Sequence, residues 1–225
     1  YIDGELIKDK VNNMHTSLAF IKDKIGIDVI KQLKYFTSCG NFGDGAMNPE
    51  CLQIYSWIHE VNPKAHLILH SNGGARNEEF WDSMAKLGVM VVFAIDGLKD
   101  TNHIYRRNVK WDKLMTNVKA FIKAGGDAGW DMLIFKHNEH QVNDCKKLSE
   151  ELGFNDFHYK QSSRWADFDS NGVWKEINKL VVGEHTLEKV PGLQSPDVGS
   201  GGNSQKSKSL DKDIKLKEIK CHAYD

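Results

Sequence analysis

The stretch Phe36–Glu50 (FTSCGNFGDGAMNPE) contains the residues of this chain whose types and spacing best suit ligand binding. Gly40 and Gly43 bracket two residues and leave main-chain N–H groups free of side-chain obstruction, which is required where backbone approaches a ligand closely. The alternative to ligand binding is an ordinary turn, which would need fewer glycines. A second stretch, Ser71–Gly74 (SNGG), fits ligand binding and ordinary Asn-Gly turn chemistry equally well.

Regular secondary structure must hold these stretches, and the hydrophobic pattern predicts strands that alternate with helices. Short apolar runs predict strands over 33–37, 66–70, 89–95, 130–135 and 157–160. Apolar residues at helical spacing predict helices over 8–26, 48–61, 77–88, 111–124 and 141–152. Strands that alternate with helices pair in parallel with right-handed crossovers, which leaves two architectures open, an open doubly wound sheet and part of a (β/α) barrel.

Both architectures bind ligands at the carboxyl ends of their strands. The residues that follow the predicted strands are polar or glycine almost throughout, whereas the strands are mainly apolar. These strand exits are 40–44, 71–74, 96–107, 136–138 and 161–164. The sequence therefore predicts that ligand-binding residues gather along one edge of the sheet.

Composition limits the classes of function. With 30 basic and 31 acidic residues in 225, the chain has no excess positive charge for nucleic acid. It also has no apolar run near the ~20 residues that cross a bilayer, and its first residues lack signal-peptide features, so we predict a cytoplasmic protein without a nucleic-acid or membrane partner. The cysteines lack metal-site or disulfide spacing. We expect Cys51 and Cys145 to pack within helices, whereas the roles of Cys39 and Cys221 stay open.

Taken in order, the polar strand exits resemble the core of a radical S-adenosylmethionine (SAM) enzyme. The resemblance covers residues 33–165 and rests on four motifs: GNFGD at 40–44, LHSNGG at 69–74, FAIDGLKDTNHIYRR at 93–107 and FKHN at 135–138. The first motif is similar to the GNFGDP of members that carry an auxiliary iron-sulfur domain of the SPASM type, although Gly45 stands where proline is usual. The resemblance implies an α/β fold, a partial (β/α)6 TIM-like barrel of parallel strands, with SAM bound across its open top.

The resemblance also implies how the charged ends of SAM would be held. Asp44 and main-chain carbonyls of its loop would receive the methionine amino group, because a cationic amine needs acceptors. Arg106 would fork onto the methionine carboxylate in two parallel hydrogen bonds, with Arg107 as the alternative. The other expected cofactor-binding residues of the loop are Gly40, Asn41, Phe42 and Gly43.

Further cofactor contacts are implied at the other strand exits. Ser71 and Asn72 would lie beside the cofactor or substrate, and Asn138 would reach the ribose or adenosine. Asp96 would line the substrate pocket or anchor its own turn. No catalytic residue is assigned, because the histidines that flank this opening, His70 and His137, belong to a residue type that is more often structural.

Two parts of such an enzyme are missing from the sequence. Radical SAM chemistry needs a 4Fe-4S cluster held by three cysteines, usually CxxxCxxC after the first strand, and the sequence has no such triplet. We therefore expect an internal fragment with its cluster ligands elsewhere, in preference to a protein that has lost its cluster. Beyond the core at 1–165, we expect a peripheral helical segment over 166–189, a flexible linker over 190–210, and the start of a SPASM-like region over 211–225. Cys221 would be the first ligand of its auxiliary cluster.

The function that the resemblance implies is reductive cleavage of SAM followed by abstraction of hydrogen from a substrate, a peptide or protein side chain. The implied partners are SAM, that substrate, and an electron donor such as flavodoxin or ferredoxin, and the chain alone should be inactive. The alternative is a non-catalytic barrel that binds SAM or another nucleotide without a cluster. A barrel acting on phosphorylated sugars is disfavoured, because no lysine follows the glycines in a P-loop arrangement.

Overall fold

The fold is built on five parallel strands connected by helices. The computed structural model describes residues 15–40, 43–162, 165–168 and 174–193. The strands of the sheet are β1 (Tyr35–Ser38), β2 (His66–Ser71), β3 (Met90–Ala94), β4 (Ala128–Ile134) and β5 (Asp156–Gln161). The α-helices are α1 (Leu18–Lys24), α2 (Ile27–Ile30), α3 (Cys51–Val61), α4 (Glu78–Lys86), α5 (Asn102–Tyr105), α6 (Trp111–Lys123) and α7 (Val142–Leu152).

The sheet has the topology of part of a (β/α) barrel. Its strands follow one another in chain order, β1-β2-β3-β4-β5, and each adjacent pair is parallel. Helices α3, α4, α6 and α7 all contribute to one hydrophobic core on one face of the sheet. A doubly wound sheet carries helices on both faces and reverses its strand order. The barrel-type architecture is therefore confirmed, and the sheet does not close within the described residues.

The helix-covered face of the sheet holds the aromatic core. Side chains alternate between the two faces of a strand, and the alternate residues of the central strands that face the helices are fully buried. Trp81, Phe93 and Trp130 are each 0% exposed. Both tryptophan indole N–H groups have partners, because Trp81 donates to the carbonyl of Ala75 at 3.1 Å and Trp130 to that of Ile95 at 2.8 Å. The core thus contacts the residues that follow β2 and β3 directly.

Most of the predicted helices and strands are present with small shifts at their ends. Asn77 caps α4 as the sequence predicts, since its side chain accepts a hydrogen bond from the main-chain N–H of Phe80 at 3.2 Å. The helix predicted from residue 8 begins at Leu18 in the described part, after a Ser17 cap, and residues 8–14 lie outside the described residues. The helix predicted from residue 48 begins at Cys51.

The helical segment expected over 166–189 is wrong. This region forms two antiparallel pairs of short strands, β6 (Ala166–Phe168) with β7 (Trp174–Glu176) and β8 (Lys179–Val182) with β9 (His185–Glu188). Leu180 and Val182 pack on a small core around Phe135, whereas Val181 between them is 62% exposed. This alternation of buried and exposed residues has the two-residue period of a strand. Gly183, with φ of +62°, begins the two-residue turn that a hairpin requires.

The remaining boundaries expected near the carboxyl end are untested. Of the linker expected over 190–210, residues 190–193 are described, and the SPASM-like region over 211–225 lies outside the described residues together with Cys221. In the described part of the chain, none of the helices is both long and apolar enough to cross a bilayer.

Candidate functional site

The Asp44 carboxylate joins the exits of β1 and β2. Its Oδ1 accepts a hydrogen bond from the main-chain N–H of Ala46 at 3.0 Å, which caps a 3-10 turn over Gly45–Met47. Its Oδ2 accepts from the hydroxyl of Ser71 at 2.9 Å and from the main-chain N–H of Asn72 at 2.8 Å. A carboxylate has about four lone-pair positions, so one position is left for a further donor. Asp44, Ser71 and Asn72, which the sequence places at these two exits, are therefore joined by hydrogen bonds.

The glycines of the β1 exit have a local reason to be glycine. Gly43 adopts φ of +146°, a conformation that side chains rarely allow. A Cβ at Gly40 would lie 3.2 Å from the carbonyl oxygen of Gly43. Asn41 and Phe42 lie outside the described residues. The backbone conformation thus favours glycine at position 43, a side chain at Gly40 would crowd the Gly43 carbonyl, and the contact of either glycine with a ligand stays a prediction.

Arg76 also holds the β1 exit in place, and the sequence did not predict this role. Its Nε donates to the carbonyl of Ala46 at 2.6 Å, and its Nη2 donates to the carbonyl of Asn48. Arg76 has φ of +65°, which is uncommon for a residue with a side chain. No sequence pattern marks such a contact between residues about thirty positions apart.

The β3 exit contains a buried ion pair between Asp96 and Arg106. Arg106 Nε lies 2.5 Å from Asp96 Oδ2, although the N–H does not point along a hydrogen-bond direction. Asp96 Oδ1 accepts the main-chain N–H of Leu133 at 2.6 Å. The Asp96 side chain is fully buried, whereas that of Arg106 is 23% exposed. Burial raises the pKa of the Asp96 carboxyl, and the Arg106 guanidinium and the Leu133 amide oppose that rise.

Buried amide side chains hold the backbone around this ion pair. Asn102 Oδ1 accepts from the main-chain N–H of Asp96 at 2.8 Å. Asn138 is 0% exposed, and its Nδ2 donates to the carbonyls of Asp96 at 3.0 Å and Leu133 at 2.9 Å. Its Oδ1 accepts from the main-chain N–H of Phe135 at 2.8 Å. Asn138 therefore braces two strand exits, and its predicted contact with ribose or adenosine stays a prediction. Asn102 carried no signal in the sequence beyond its place in the loop.

The geometry distinguishes Arg106 from Arg107. The Arg107 guanidinium packs on the β8–β9 turn, where a Cβ at Gly183 would lie 2.7 Å from Arg107 Cζ. The hairpin is joined to the sheet edge by the main-chain N–H of Lys136, which donates to the carbonyl of Glu188 at 3.0 Å. The Arg107 guanidinium therefore contacts the hairpin. The Arg106 guanidinium lies beside the strand exits, where it pairs with Asp96. This placement favours Arg106 as the ligand-facing arginine.

His137 lies at the β4 exit, and both of its ring nitrogens are buried and have no hydrogen-bond partner among the described residues. Its ring stacks on Phe135, with centroids 5.5 Å apart. Burial, helped by His185, His140 and His103, lowers the pKa of His137 to about 4 from an ordinary value of 6.5. Its imidazole is therefore uncharged in the native protein near neutral pH.

This histidine should make the protein less stable as the pH falls. Between pH 6.5 and about 4, His137 takes up a proton in the unfolded chain but not in the native one, so the free energy of unfolding decreases as the pH is lowered through that window. In His137→Phe we expect this decrease in the free energy of unfolding to be smaller by about 1–2 kcal/mol, a value discounted because the His137 side chain is only partly buried. Urea unfolding at pH 7 and pH 4.5 measures it. Parallel pH curves for the two proteins would contradict the expectation.

The described cysteines do not fit an iron-sulfur cluster. Cys51 and Cys145 are buried in α3 and α7, as the sequence predicts, and burial raises their pKa values to about 11 and about 12. Cys39 is exposed at the end of β1. Within 15–40, 43–162, 165–168 and 174–193, no group of three metal-binding side chains comes together.

The described residues do fit the charged ends of a SAM molecule. Asp44 keeps a free acceptor position at the exits of β1 and β2, and the Nη1/Nη2 edge of Arg106 lies beyond the Nε that faces Asp96. Because β2 and β3 are adjacent and parallel, these exits lie on the same edge of the sheet. An acceptor and a guanidinium fork are the groups that an amino acid's ammonium and carboxylate require.

Comparison with solved structures finds a similar fold in a protein solved with bound AdoMet and in a radical SAM methyltransferase. The structure of anSMEcpe with bound AdoMet aligns with 14% identity over 64% of this chain and 43% of that chain, with a TM-score of 0.52. TsrM from Kitasatospora setae, a radical SAM methyltransferase with cobalamin and a 4Fe-4S cluster bound, aligns with 13% identity over 64% of this chain and 30% of that chain, with a TM-score of 0.50.

These likenesses concern the fold alone. A third structure, anSMEcpe with bound AdoMet and the Cp18Cys peptide, aligns with 16% identity over 59% of this chain and 40% of that chain, with a TM-score of 0.50. The chain thus spans less than half the length of these structures. No protein-family model matches the chain, and no curated protein sequence does.

Proposed function

We propose that this chain is the SAM-binding core of a radical SAM enzyme that abstracts hydrogen from a substrate. The proposal rests on one observation: an acceptor, Asp44, and a guanidinium, Arg106, both lie at strand exits on the same edge of a parallel sheet. The same core fold is found in anSMEcpe, whose solved structures hold AdoMet. Such a fold alone admits many functions, so the proposal depends on the site.

Each part of the edge has its own task in this proposal. The carboxylate of Asp44 and nearby main-chain carbonyls bind the ammonium group of SAM, and the Nη1/Nη2 edge of Arg106 binds its carboxylate. Asp96 occupies the Nε side of the same guanidinium and so fixes which edge faces outward. Ser71 and Asn72 keep the Asp44 carboxylate in place. Bound SAM supplies the hydrogen-abstracting chemistry once an electron reaches it.

The proposed substrate class is a peptide or protein side chain. Two solved structures of anSMEcpe hold peptides, Cp18Cys in one and Kp18Cys in the other, together with AdoMet. The electron donor is a flavodoxin or ferredoxin, and the site of action is the cytoplasm.

Arg106→Ala should weaken SAM binding by about 1.5–3 kcal/mol, the range for a hydrogen bond to a charged group. Equilibrium dialysis of labelled SAM against the native and variant chains measures the dissociation constants. Arg106→Lys keeps a charge beside Asp96 but lacks the fork, so it should fold normally and still bind SAM more weakly. The matched control is Lys99→Ala, a cation of the same exit loop that pairs with exposed Asp112. Equal affinities for Arg106→Ala and the native chain would reject the role of Arg106.

The non-catalytic SAM-binding barrel is the second candidate, and the observation in its favour is that the described residues bring no cluster ligands together. Anaerobic expression of the longest native reading frame that contains this chain, followed by reconstitution with iron and sulfide, separates the two. The visible absorption of a thiolate-ligated cluster, with SAM cleavage on reduction, supports the enzyme. SAM binding without either supports the second candidate.

A further inference from the structure

The face of the sheet opposite the helices, on which the described residues place no helix, is lined mainly by half-buried apolar side chains. Residues alternate along each strand, and the apolar residues that β2, β3 and β4 place on this open face are Ile68, Met90, Val92, Ala94 and Leu133. Several titratable side chains also lie on this face, and three of them, His70 of β2, Asp131 of β4 and Lys160 of β5, are half-buried and lie toward the carboxyl ends of their strands. All three lie in the described sheet, and the site proposed above uses none of them.

Asp131 and Lys160 form an ion pair between neighbouring strands. Lys160 Nζ lies 3.1 Å from Asp131 Oδ2, and the two side chains are 40% and 23% exposed. An ion pair at this depth loses part of its hydration and adds little stability. Unlike Asp44 and Asp96, whose carboxylates bind main-chain N–H groups, Asp131 makes its hydrogen bond to Lys160. Within the described residues, this cross-strand pair is the contact that the structure gives for these two charges on a mainly apolar face.

The three side chains lie toward the same end of the sheet as the proposed SAM site. His70 is followed directly by Ser71, whose hydroxyl binds Asp44. Lys160 is the last but one residue of β5 and pairs in register with Leu133. The electrostatic effects of Asp131 and Lys160 both reach the His70 ring. A ligand on the open face can therefore contact this group while another molecule occupies the strand exits.

The net charge of the group is zero. Burial lowers the pKa of His70 from its ordinary value, Asp131 raises it and Lys160 lowers it again, so the imidazole is uncharged near neutral pH. The charges of Asp131 and Lys160 cancel. A ligand carboxylate would be repelled by Asp131 and a ligand ammonium by Lys160, whereas an uncharged group with one donor and one acceptor can satisfy both.

We propose that His70, Asp131 and Lys160 form the substrate-binding site of this protein and that they bind an uncharged amide group of a peptide. Lys160 Nζ donates to the amide carbonyl, Asp131 accepts from the amide N–H, and His70 borders the same group. The apolar residues around them pack on the carbon atoms of the peptide. The assignment of this amide to the substrate rests on the function proposed above, but the amide-binding chemistry depends on these three side chains alone.

NMR of the full chain with isotope-labelled histidine tests the site. The probe is N-acetylglycinamide, and the His70 ring signal is identified by its loss in His70→Gln. We expect a saturable shift of that signal with the amide, and a dissociation constant at least about three-fold larger for acetate and for methylammonium at matched ionic strength. The double variant Asp131→Asn with Lys160→Met should weaken amide binding by at least about three-fold.

The matched control replaces an ion pair on the other side of the sheet. Lys86 and Asp82 lie 2.7 Å apart on α4, and Asp82→Asn with Lys86→Met should leave the His70 titration unchanged. Equal shifts with amide, acetate and methylammonium, or unchanged amide binding in the Asp131/Lys160 double variant, would overturn the proposal. If that double variant does not fold, Lys160→Met alone serves the same comparison.

SAM dialysis on the same samples separates this inference from the proposed function. Amide binding without SAM binding would reject the proposed function and leave an amide site of another kind. SAM binding without selective amide binding would reject the inference and leave the proposed function standing.

Discussion

Replacing Asp96 with alanine should lower the free energy of unfolding by about 3–5 kcal/mol, because removal of one partner leaves the other charge of a buried pair uncompensated. Asp96 is 0% exposed and has two partners, Arg106 Nε and the main-chain N–H of Leu133. The alanine variant leaves the Arg106 guanidinium without its counter-charge and the Leu133 N–H without its acceptor, at a position where Asp96 is fully buried. Urea unfolding followed by tryptophan fluorescence at pH 7 measures the loss.

Two variants show whether charge and burial cause this effect. Asp96→Asn keeps an oxygen for the Leu133 N–H but removes the charge, so it should lose less than the alanine variant. Asp112→Ala removes an exposed carboxylate that lies 2.9 Å from Lys99 and should cost at most about 1 kcal/mol. A loss for Asp96→Ala no larger than that of Asp112→Ala would show that the buried ion pair contributes nothing to stability.

Replacing Asp44 with alanine should lower the free energy of unfolding by about 2–4 kcal/mol. Three donors lose their acceptor, the N–H groups of Ala46 and Asn72 and the hydroxyl of Ser71. Asp44 is half-buried, so water replaces part of the loss and the expected value is below the sum of three buried hydrogen bonds. Urea unfolding measures the stability, and dialysis should show weaker SAM binding in the same variant.

Asp44→Asn provides the comparison for this second effect. The side-chain amide of this variant has one acceptor oxygen where the carboxylate has two, so it can accept from only some of the three donors. We therefore expect a free energy of unfolding between that of the native chain and that of Asp44→Ala. Asp82→Ala, which removes an exposed helix pair with Lys86, should change stability by about 0.5 kcal/mol or less. Full stability of Asp44→Ala would mean that the β1 and β2 exits do not depend on this carboxylate.

The sequence predicted the sheet well because its strands and helices carry clear hydrophobic periods. Val89–Ile95 is nearly all apolar, and the structure places β3 within it, between two neighbouring strands. The choice between a doubly wound sheet and a barrel could not be made from these periods. It depends on the side of the sheet on which each crossover packs, and local patterns do not encode that side.

The helical segment predicted over 166–189 was wrong for a related reason. Its apolar residues fit a helical and a strand period almost equally over so short a run. Packing of Leu180 and Val182 against Phe135 decides between them. That contact joins residues more than forty positions apart, so no local window contains it.

The candidate site was predictable as a set of strand exits but not as a set of contacts. Parallel pairing brings Asp44 and Ser71 to one edge, which the sequence order implies. The pairing of Arg106 with Asp96 depends on a short helix, α5, inside the β3 exit that the pattern did not reveal. The contacts of Arg76 were not predicted because its partners are main-chain carbonyls, which no pattern of side chains reveals.

The indole groups of Trp81 and Trp130 have a practical consequence. Both are enclosed by the core, yet each donates to a carbonyl next to a strand exit, that of Ala75 or that of Ile95. Emission from an indole depends on the polarity and hydrogen bonding of its surroundings. The chain therefore contains its own optical probes of the ligand edge, and a molecule that shifts either exit changes the intrinsic fluorescence without any added label.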